Sequence, residues 1–457
     1  MSSIRPELLS PAGSLRAMRY AFAYGADAVY GGVPRYSLRV RNNSFDQAGL
    51  VAGIAEAHAA GKRFYLAVNI LAHGRKLKHV IADLEPILAS RPDALIMADP
   101  GLMLLVRERW PEQPIHLSVQ ANTTNAAAVR FWAAQGVTRV ILSRELSLDE
   151  VEEIRDACPD TELEVFVHGA LCIAYSGRCL LSGYFNHRDA NQGACTNACR
   201  WDYRVAGITP VPAHDGDSLG CDPSAPVQRH AAADEVYLLE EGARPGAYMP
   251  VFEDEAGTYI LNSRDLRAVE HVVRLVAIGV DALKIEGRTK SHYYVARTAR
   301  VYRAAIDEAR AGAPFRPALL TDLEGLANRG YTDGFYRRHA PNALQNYEDG
   351  SSSPQRQIFV GEVIRYVEGW ADIRVKNAFA LGDELELLMP DAQRRFRLSA
   401  MRDATTGAEL RRAPGDGWVV RIELPCRASP MALLSRLLAP PETVPECALS
   451  EPNQSDA

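Results

Sequence analysis

One unit recurs along most of this 457-residue chain: a short apolar strand ending in Gly, Pro, Asn or Asp, then a helical stretch, then the next strand. Strands are expected at Glu7–Ser10, Ala28–Gly31, Phe64–Asn69, Ala94–Ala98, Ile115–Gln120, Arg139–Ser143, Leu163–His168 and Ala282–Glu286. Helical stretches such as Ser14–Tyr24, Leu50–Ala60, Asn125–Gln135 and Ser147–Ala157 separate them. Strands joined through helices run parallel. Eight such units favour closure into a TIM-like (β/α)8 barrel over an open doubly wound sheet. Neither G-x-G-x-x-G nor G-x-x-x-x-G-K-S/T is present to mark an open nucleotide-binding sheet.

Alternation along these strands carries a second message, because successive residues point to opposite sides of a sheet. Tyr65 and Asn69 share one side of the third strand; His116, Ser118 and Gln120 share one side of the fifth. Glu164 and His168 do so in the seventh, and Lys284, Glu286 and then Arg288 in the eighth. The apolar sets suit the helix layer, so the polar sets are expected to line the barrel interior and its mouth. An interior of this kind binds something polar, or else holds a buried, mutually satisfied salt-bridge network. Glu164, His168 and Glu286 are the candidates for acid–base chemistry.

The seventh crossover, from His168 to about Val280, is several times longer than the roughly 30 residues of a normal unit. Four of the eight cysteines, Cys172, Cys179, Cys195 and Cys199, lie at its start. Directly after strand seven they belong to the C-terminal face, where barrel enzymes build their active sites. Four thiolates suit a structural zinc or an iron–sulfur cluster. Zinc sites of this type usually pair two short knuckles, and here the first pair is too widely spaced, so the spacing favours iron–sulfur. Cys221 is the first substitute ligand to consider.

The stretch Glu164-Val-Phe-Val-His-Gly-Ala-Leu-Cys172-x4-Gly177-Arg-Cys179-Leu-Leu-Ser182 fits every defined position of the signature of the collagenase-like peptidase family U32. Further blocks resemble the same family: Glu7–Gly13, Gly25–Tyr30, His116–Asn122 and Lys284–Arg288. Tyr36–Asn43, Asn191–Trp201 and Arg329–Phe335 resemble its bacterial tRNA-hydroxylation branch, and the likeness runs from about residue 5 to 440. The resemblance implies oxygen-independent hydroxylation of the wobble uridine of tRNA to 5-hydroxyuridine. It also implies prephenate as co-substrate and an iron–sulfur cluster, of the 4Fe-4S type, on Cys172, Cys179, Cys195 and Cys199. An electron- or cluster-donor protein is a further implied partner. Prephenate carries two carboxylates, which arginine holds best, so Arg288, Arg144 and Arg39 are ligand candidates together with Gln120, His116 and Asn69. The family name suggests proteolysis instead, yet neither H-E-x-x-H nor G-x-S-x-G occurs. A Cys172–His168 nucleophile pair is the arrangement that reading needs.

A third reading, an RNA-binding module without chemistry, rests on local charge. Overall the chain is acidic, with 51 Lys and Arg against 57 Asp and Glu, so RNA contact has to be local. Arg297, Arg300, Arg303 and Tyr293 fall on one side of an expected helix, and Arg35, Arg39 and Arg41 lie in the loop after strand two. Arg35 and Arg41 join the helix residues as candidates for RNA contact. The expected domains are a barrel over 1–345 with its insertion at about 168–280, a linker at 346–356, a small β-barrel at 357–440 and a disordered tail at 441–457. The β-barrel expectation rests on short alternating runs such as Phe359–Tyr366, Ala371–Val375 and Glu384–Leu388. No apolar run reaches the roughly 18 residues of a membrane span, and the first residues lack a signal-peptide core, so the expected location is the cytoplasm.

Overall fold

The computed structural model describes residues 5–38, 44–171, 264–328, 330–337 and 357–438, and the backbone of strands Tyr237–Glu240, Tyr248–Asp254 and Gly257–Tyr259. Arg39, Arg41, Cys172, Cys179, Cys195, Cys199, Cys221 and residues 338–356 and 439–457 lie outside the described residues. The linker and the tail expected from the sequence fall there, as does most of the insertion.

Eight parallel strands close into a barrel. They are β1 (Glu7–Pro11), β2 (Ala28–Gly32), β3 (Arg63–Val68), β4 (Ala94–Met97), β5 (Ile115–Leu117), β6 (Arg139–Ile141), β7 (Glu162–Ala170) and β8 (Ala282–Ile285). Each pairs with its neighbour in sequence order, and β8 closes the ring by pairing with both β7 and β1. The helices are α1 (Leu15–Ala23), α2 (Gln47–Ala59), α3 (Gly74–Leu88), α4 (Pro100–Arg109), α5 (Ala126–Ala134), α6 (Leu148–Ala157), α7 (Val272–Ile278), α8 (His292–Arg310) and α9 (Ala318–Glu324). Their starts follow from short polar side chains that accept from the first free backbone N–H groups: Ser14, Asp46, Asp99, Asn125, Ser147 and Ser291 cap α1, α2, α4, α5, α6 and α8. Strand residues such as Leu8, Phe64, Leu66, Leu95 and Leu283 are fully buried, facing the helices. Burying each side chain of this kind contributes about 1.5–3 kcal/mol.

Five strands end one to three residues earlier than expected, among them the fifth and the third. The fifth stops at Leu117, because Ser118 caps a 3-10 turn over Val119–Ala121, and Gln120 therefore sits on that turn. The third stops at Val68, leaving Asn69 in the loop beyond it. In the opposite direction, β7 outruns its neighbours. Its last residues pair antiparallel with the short strand Asp265–Arg267, which in turn pairs with Tyr331–Thr332.

The register of β7 on β8 shifts once, with Lys284 opposite Phe166 but Ile285 opposite His168. The extra residue is a β-bulge, and it reverses which side every later residue faces. Gly169 follows in a left-handed conformation, φ +106°, and a Cβ there would come within 2.5 Å of the Glu286 carbonyl oxygen. Only glycine fits that approach.

The chain divides into two compact units, with the boundary between Pro354 and Gln355. The second unit contains a seven-stranded antiparallel sheet in the order Gln393–Arg397, Glu384–Leu388, Leu433–Leu437, Gln357–Val367, Trp370–Val375, Val419–Glu423 and Met401–Asp403. Val360, Ile373, Leu385, Leu387, Val420, Ile422 and Leu433 form its core. No helix among the described residues is long and apolar enough to cross a membrane.

Candidate active site

Strand register fixes the barrel interior. Glu7, Tyr30, Tyr65, His116, Arg139, Glu164, Phe166 and Lys284 all lie on the inward side of their strands, as pairs such as Tyr30 with Tyr65 and Lys284 with Phe166 show. At the N-terminal end of the strands, Arg139 donates to Glu7 and to Glu162 at 2.7 Å each, and Arg63 and the Tyr65 hydroxyl donate to Glu7 at 2.9 and 2.8 Å. Deeper in, Arg139 reaches Glu164 at 3.3 Å, and Lys284 Nζ donates to Glu164 at 2.8 Å. The Lys284 ammonium also lies 4.5 Å from the centre of the Tyr30 ring, a favourable cation–π position. Burial lowers the Lys284 amine below its ordinary value, opposed by Glu164. His116, packed edge-on to Tyr65 at 4.7 Å, is held well below the ordinary histidine value by burial and by Arg139 and Lys284. It is a neutral imidazole whose Nδ1 has no hydrogen-bond partner among the described residues.

Glu164, offered by the sequence as an acid–base candidate, is thus fully buried and ion-paired within this network. His168 differs more sharply. The bulge turns it out of the barrel toward the helix layer, where the rings of Tyr294, Tyr302 and Tyr331 surround it at 5.8, 5.5 and 5.6 Å. The Tyr302 hydroxyl lies 3.3 Å from its Nδ1 and bonds the Val167 carbonyl at 2.6 Å. Burial, with Arg267 and Lys290 adding to it, pushes His168 down to about 3. The expectation that it lines the barrel interior is corrected, because strand alternation cannot reveal a one-residue bulge.

The C-terminal mouth keeps the other candidates. Glu286 is buried just past β8, and the Tyr294 hydroxyl holds its carbonyl at 2.8 Å. Arg288 follows in the turn after β8, 5.7 Å from the Tyr30 ring centre, and donates to the Leu38 carbonyl. A Cβ at Gly32 would overlap the Arg288 guanidinium, so the bare backbone there makes room for it. Asn69 Oδ1 accepts from the Leu38 amide at 3.1 Å, and Gln120 Oε1 accepts from Ser118 at 2.9 Å. Arg144, past β6, lies 4.0 Å over the Phe166 ring and donates to the Ala170 carbonyl at 2.7 Å, while its buried Nε has no hydrogen-bond partner among the described residues. Leu171 is buried at the end of β7 and hands the chain on to Cys172. Arg288, Arg144, Asn69 and Gln120 therefore stand at strand ends on the face where the cysteine-bearing segment begins.

The helical RNA face is not a surface. Arg297 is 1% exposed, donates to the Asp322 carbonyl at 3.1 Å and lies 5.5 Å from the Tyr293 ring, itself buried. Arg303 pairs with Asp27 and Asp307 at 2.9 and 2.8 Å, and Arg300 is half-buried. Helix α8 is covered by α1, α7 and α9, so both of its sides pack. Helical periodicity sorted polar from apolar residues correctly but could not show that a neighbour covers the polar side. Arg35 is exposed and pairs with Asp83 at 3.1 Å.

The model of peptidase family U32 matches residues 13–346, and that of the family's C-terminal domain matches residues 355–436. The chain belongs to peptidase family U32. Similar members include a protein named tRNA hydroxylation protein P from Escherichia coli, 58% identical over 92% of this chain and 94% of its own length. A protein of the same name from Haemophilus influenzae is 56% identical over 93% and 94%. Another from Helicobacter pylori strain J99 is 38% identical over 77% of each chain.

Two outcomes test this U32 barrel. Lys284→Met leaves the Glu164 carboxylate short of its closest cation and is expected to cost about 3–5 kcal/mol. Lys284→Met with Glu164→Leu is expected to recover most of that in urea unfolding, and a double variant no more stable than the single one contradicts the network. His168 gives a pH signature. Above about pH 6.5 it is neutral folded or unfolded. Below that, the unfolded chain binds a proton that the folded one refuses, so stability falls by up to about 1.4 kcal/mol per pH unit toward the folded value near 3. His168→Phe is expected to flatten the stability profile between pH 6 and 4; parallel profiles contradict the assignment.

Proposed function

We propose that this chain hydroxylates the wobble uridine of tRNA to 5-hydroxyuridine without molecular oxygen, with prephenate as co-substrate and an iron–sulfur cluster of the 4Fe-4S type. The coarser part, tRNA hydroxylation, is supported by relatives of that name that align over nearly the whole chain at up to 58% identity. The finer part rests on one observation. A basic, polar barrel mouth stands at the strand ends where β7, which carries the start of the family signature, runs on toward Cys172, Cys179, Cys195 and Cys199 in the sequence.

Cys172, Cys179, Cys195 and Cys199 offer four soft thiolates, a donor set that suits such a cluster, and Cys172 follows directly on β7. When bound, the cluster supplies one-electron chemistry. The residues of this chain do the rest. Arg288 and Arg144 present guanidinium groups to a dicarboxylate, and the Nε of Arg144, without a partner among the described residues, gives such an anion a donor to meet. Glu7, Arg63, Arg139 and Glu162 fill the opposite end of the interior with paired charge, so the ligand enters from the C-terminal mouth. Asn69 and Gln120 add neutral polar groups there. The peptidase reading loses its base, since His168 faces the helix layer as a neutral, tyrosine-enclosed ring.

Serine at any of the four cysteines is expected to lower bound iron and sulfide in anaerobically purified protein, together with absorbance near 400 nm, while Cys426→Ser is silent. Full iron retention in Cys195→Ser or Cys199→Ser contradicts the ligand set, with Cys221 the next ligand to test. Arg288→Lys exchanges a two-pronged donor for a point charge and is expected to weaken the small ligand by about 1.5–3 kcal/mol. Hydroxylation falls while tRNA affinity and its salt dependence stay near wild type. Normal hydroxylation at saturating tRNA with weak tRNA binding would assign Arg288 to the RNA instead.

A further inference from the structure

With helix α8 packed on both sides, the surface that meets a polyanionic substrate has to lie elsewhere. We propose that the first two turns of α3, with Arg35 beside them, form the docking surface for the phosphate backbone of the RNA. This rests on the reading above that the substrate is tRNA.

Residues 73–79 read His-Gly-Arg-Lys-Leu-Lys-His, and the first acid along the helix is Asp83. His73, Arg75, Lys78 and His79 are exposed. A helix N-terminus carries partial positive charge, so carboxylates are stabilising there and cations cost stability. Helix α3 is built against that preference. Its first turn contains no acid, and His73 makes no side-chain cap. The crowding of positive charge extends to the loop after β2. Lys76 Nζ donates to the Arg35 carbonyl at 3.1 Å, and burial together with the Arg35 charge holds its amine below the ordinary value. Asp83 answers this group, and it is shared between Arg35 at 3.1 Å and the Tyr36 hydroxyl at 2.6 Å. Arg75 and Lys78 make no ion pair among the described residues.

Arg75 and Lys78, exposed on a helix end that disfavours cations and with exposed Arg35 beside them, are complementary to a row of phosphates. Location agrees. Because α3 follows β3, its N-terminus stands at the C-terminal end of the barrel strands, the end at which β7 feeds Cys172 and at which Arg288 and Arg144 lie. Phosphate contacts on the rim position a nucleic acid without reading its sequence. Selection of the base is then left to the mouth.

The test uses the full-length protein and fluorescence anisotropy with labelled tRNA across a salt titration. Arg75→Gln with Lys78→Gln is expected to weaken binding about tenfold or more at low salt and to reduce the slope of log affinity against log salt by about one unit per residue. The melting temperature is expected to stay or rise, because both changes remove cations from a helix N-terminus. If the wild type binds tRNA and the variant matches it in affinity and slope, the proposal is wrong. If tRNA binding is unchanged while binding of poly-glutamate is lost, the surface serves an acidic protein segment and the proposal is equally wrong. A wild type that binds no tRNA at any salt overturns the tRNA reading itself, and this surface with it.

Discussion

Opposite charges run in a connected line from the floor of the barrel to its middle: Arg63 and Arg139 on Glu7, Arg139 on Glu164, and Glu164 on Lys284. The line ties β1, β3, β6, β7 and β8 together, and each partner sits on the inward side of its strand. A slip of one residue in any of these strands would carry a charge into the apolar helix layer, at a cost of several kcal/mol per ion. Register is therefore set by paired charge as much as by Val, Ile and Leu. The same ions fill one end of the barrel, and chemistry is left with the other.

At that other end, geometry is governed by β7. Its bulge and Gly169 allow the strand to outrun the barrel, to take on the strand Asp265–Arg267, and to end at Ala170, which Arg144 contacts. The bulge also moves His168 from the interior to a tyrosine-lined pocket among the helices. One irregularity thus removes a candidate base from the cavity just before the chain reaches Cys172.

Much of the barrel was legible in the sequence, because strands end at turn signals and six of the helices are preceded by a residue whose side chain caps them. Boundaries of β1, β2, β4 and β8 fall within a residue of expectation. The interior side of β3, β5 and β8 also followed from alternation, and Arg288 and Arg144 were correctly placed at strand ends. What alternation missed was local or non-local in origin. Ser118 stops β5 by capping a 3-10 turn, and the bulge in β7 reverses its face; both depend on one residue's hydrogen bonds rather than on pattern. The burial of Arg297 depends on α1, α7 and α9, which sequence periodicity within α8 cannot see. Arg139, central to the ion network, carried no signal beyond its place as the first residue of β6.

The charged floor, the polar mouth and the cysteines after β7 make one account, in which tRNA is the substrate and the wobble uridine is the reacting base. Mass spectrometry of tRNA nucleosides from cells lacking this protein, beside the same cells with it restored, tests that account most directly. The account predicts that wobble 5-hydroxyuridine falls sharply in the lacking strain, returns with the wild-type chain and does not return with Cys172→Ser. Unchanged 5-hydroxyuridine in the lacking strain, in cells with no second route to that nucleoside, would contradict it.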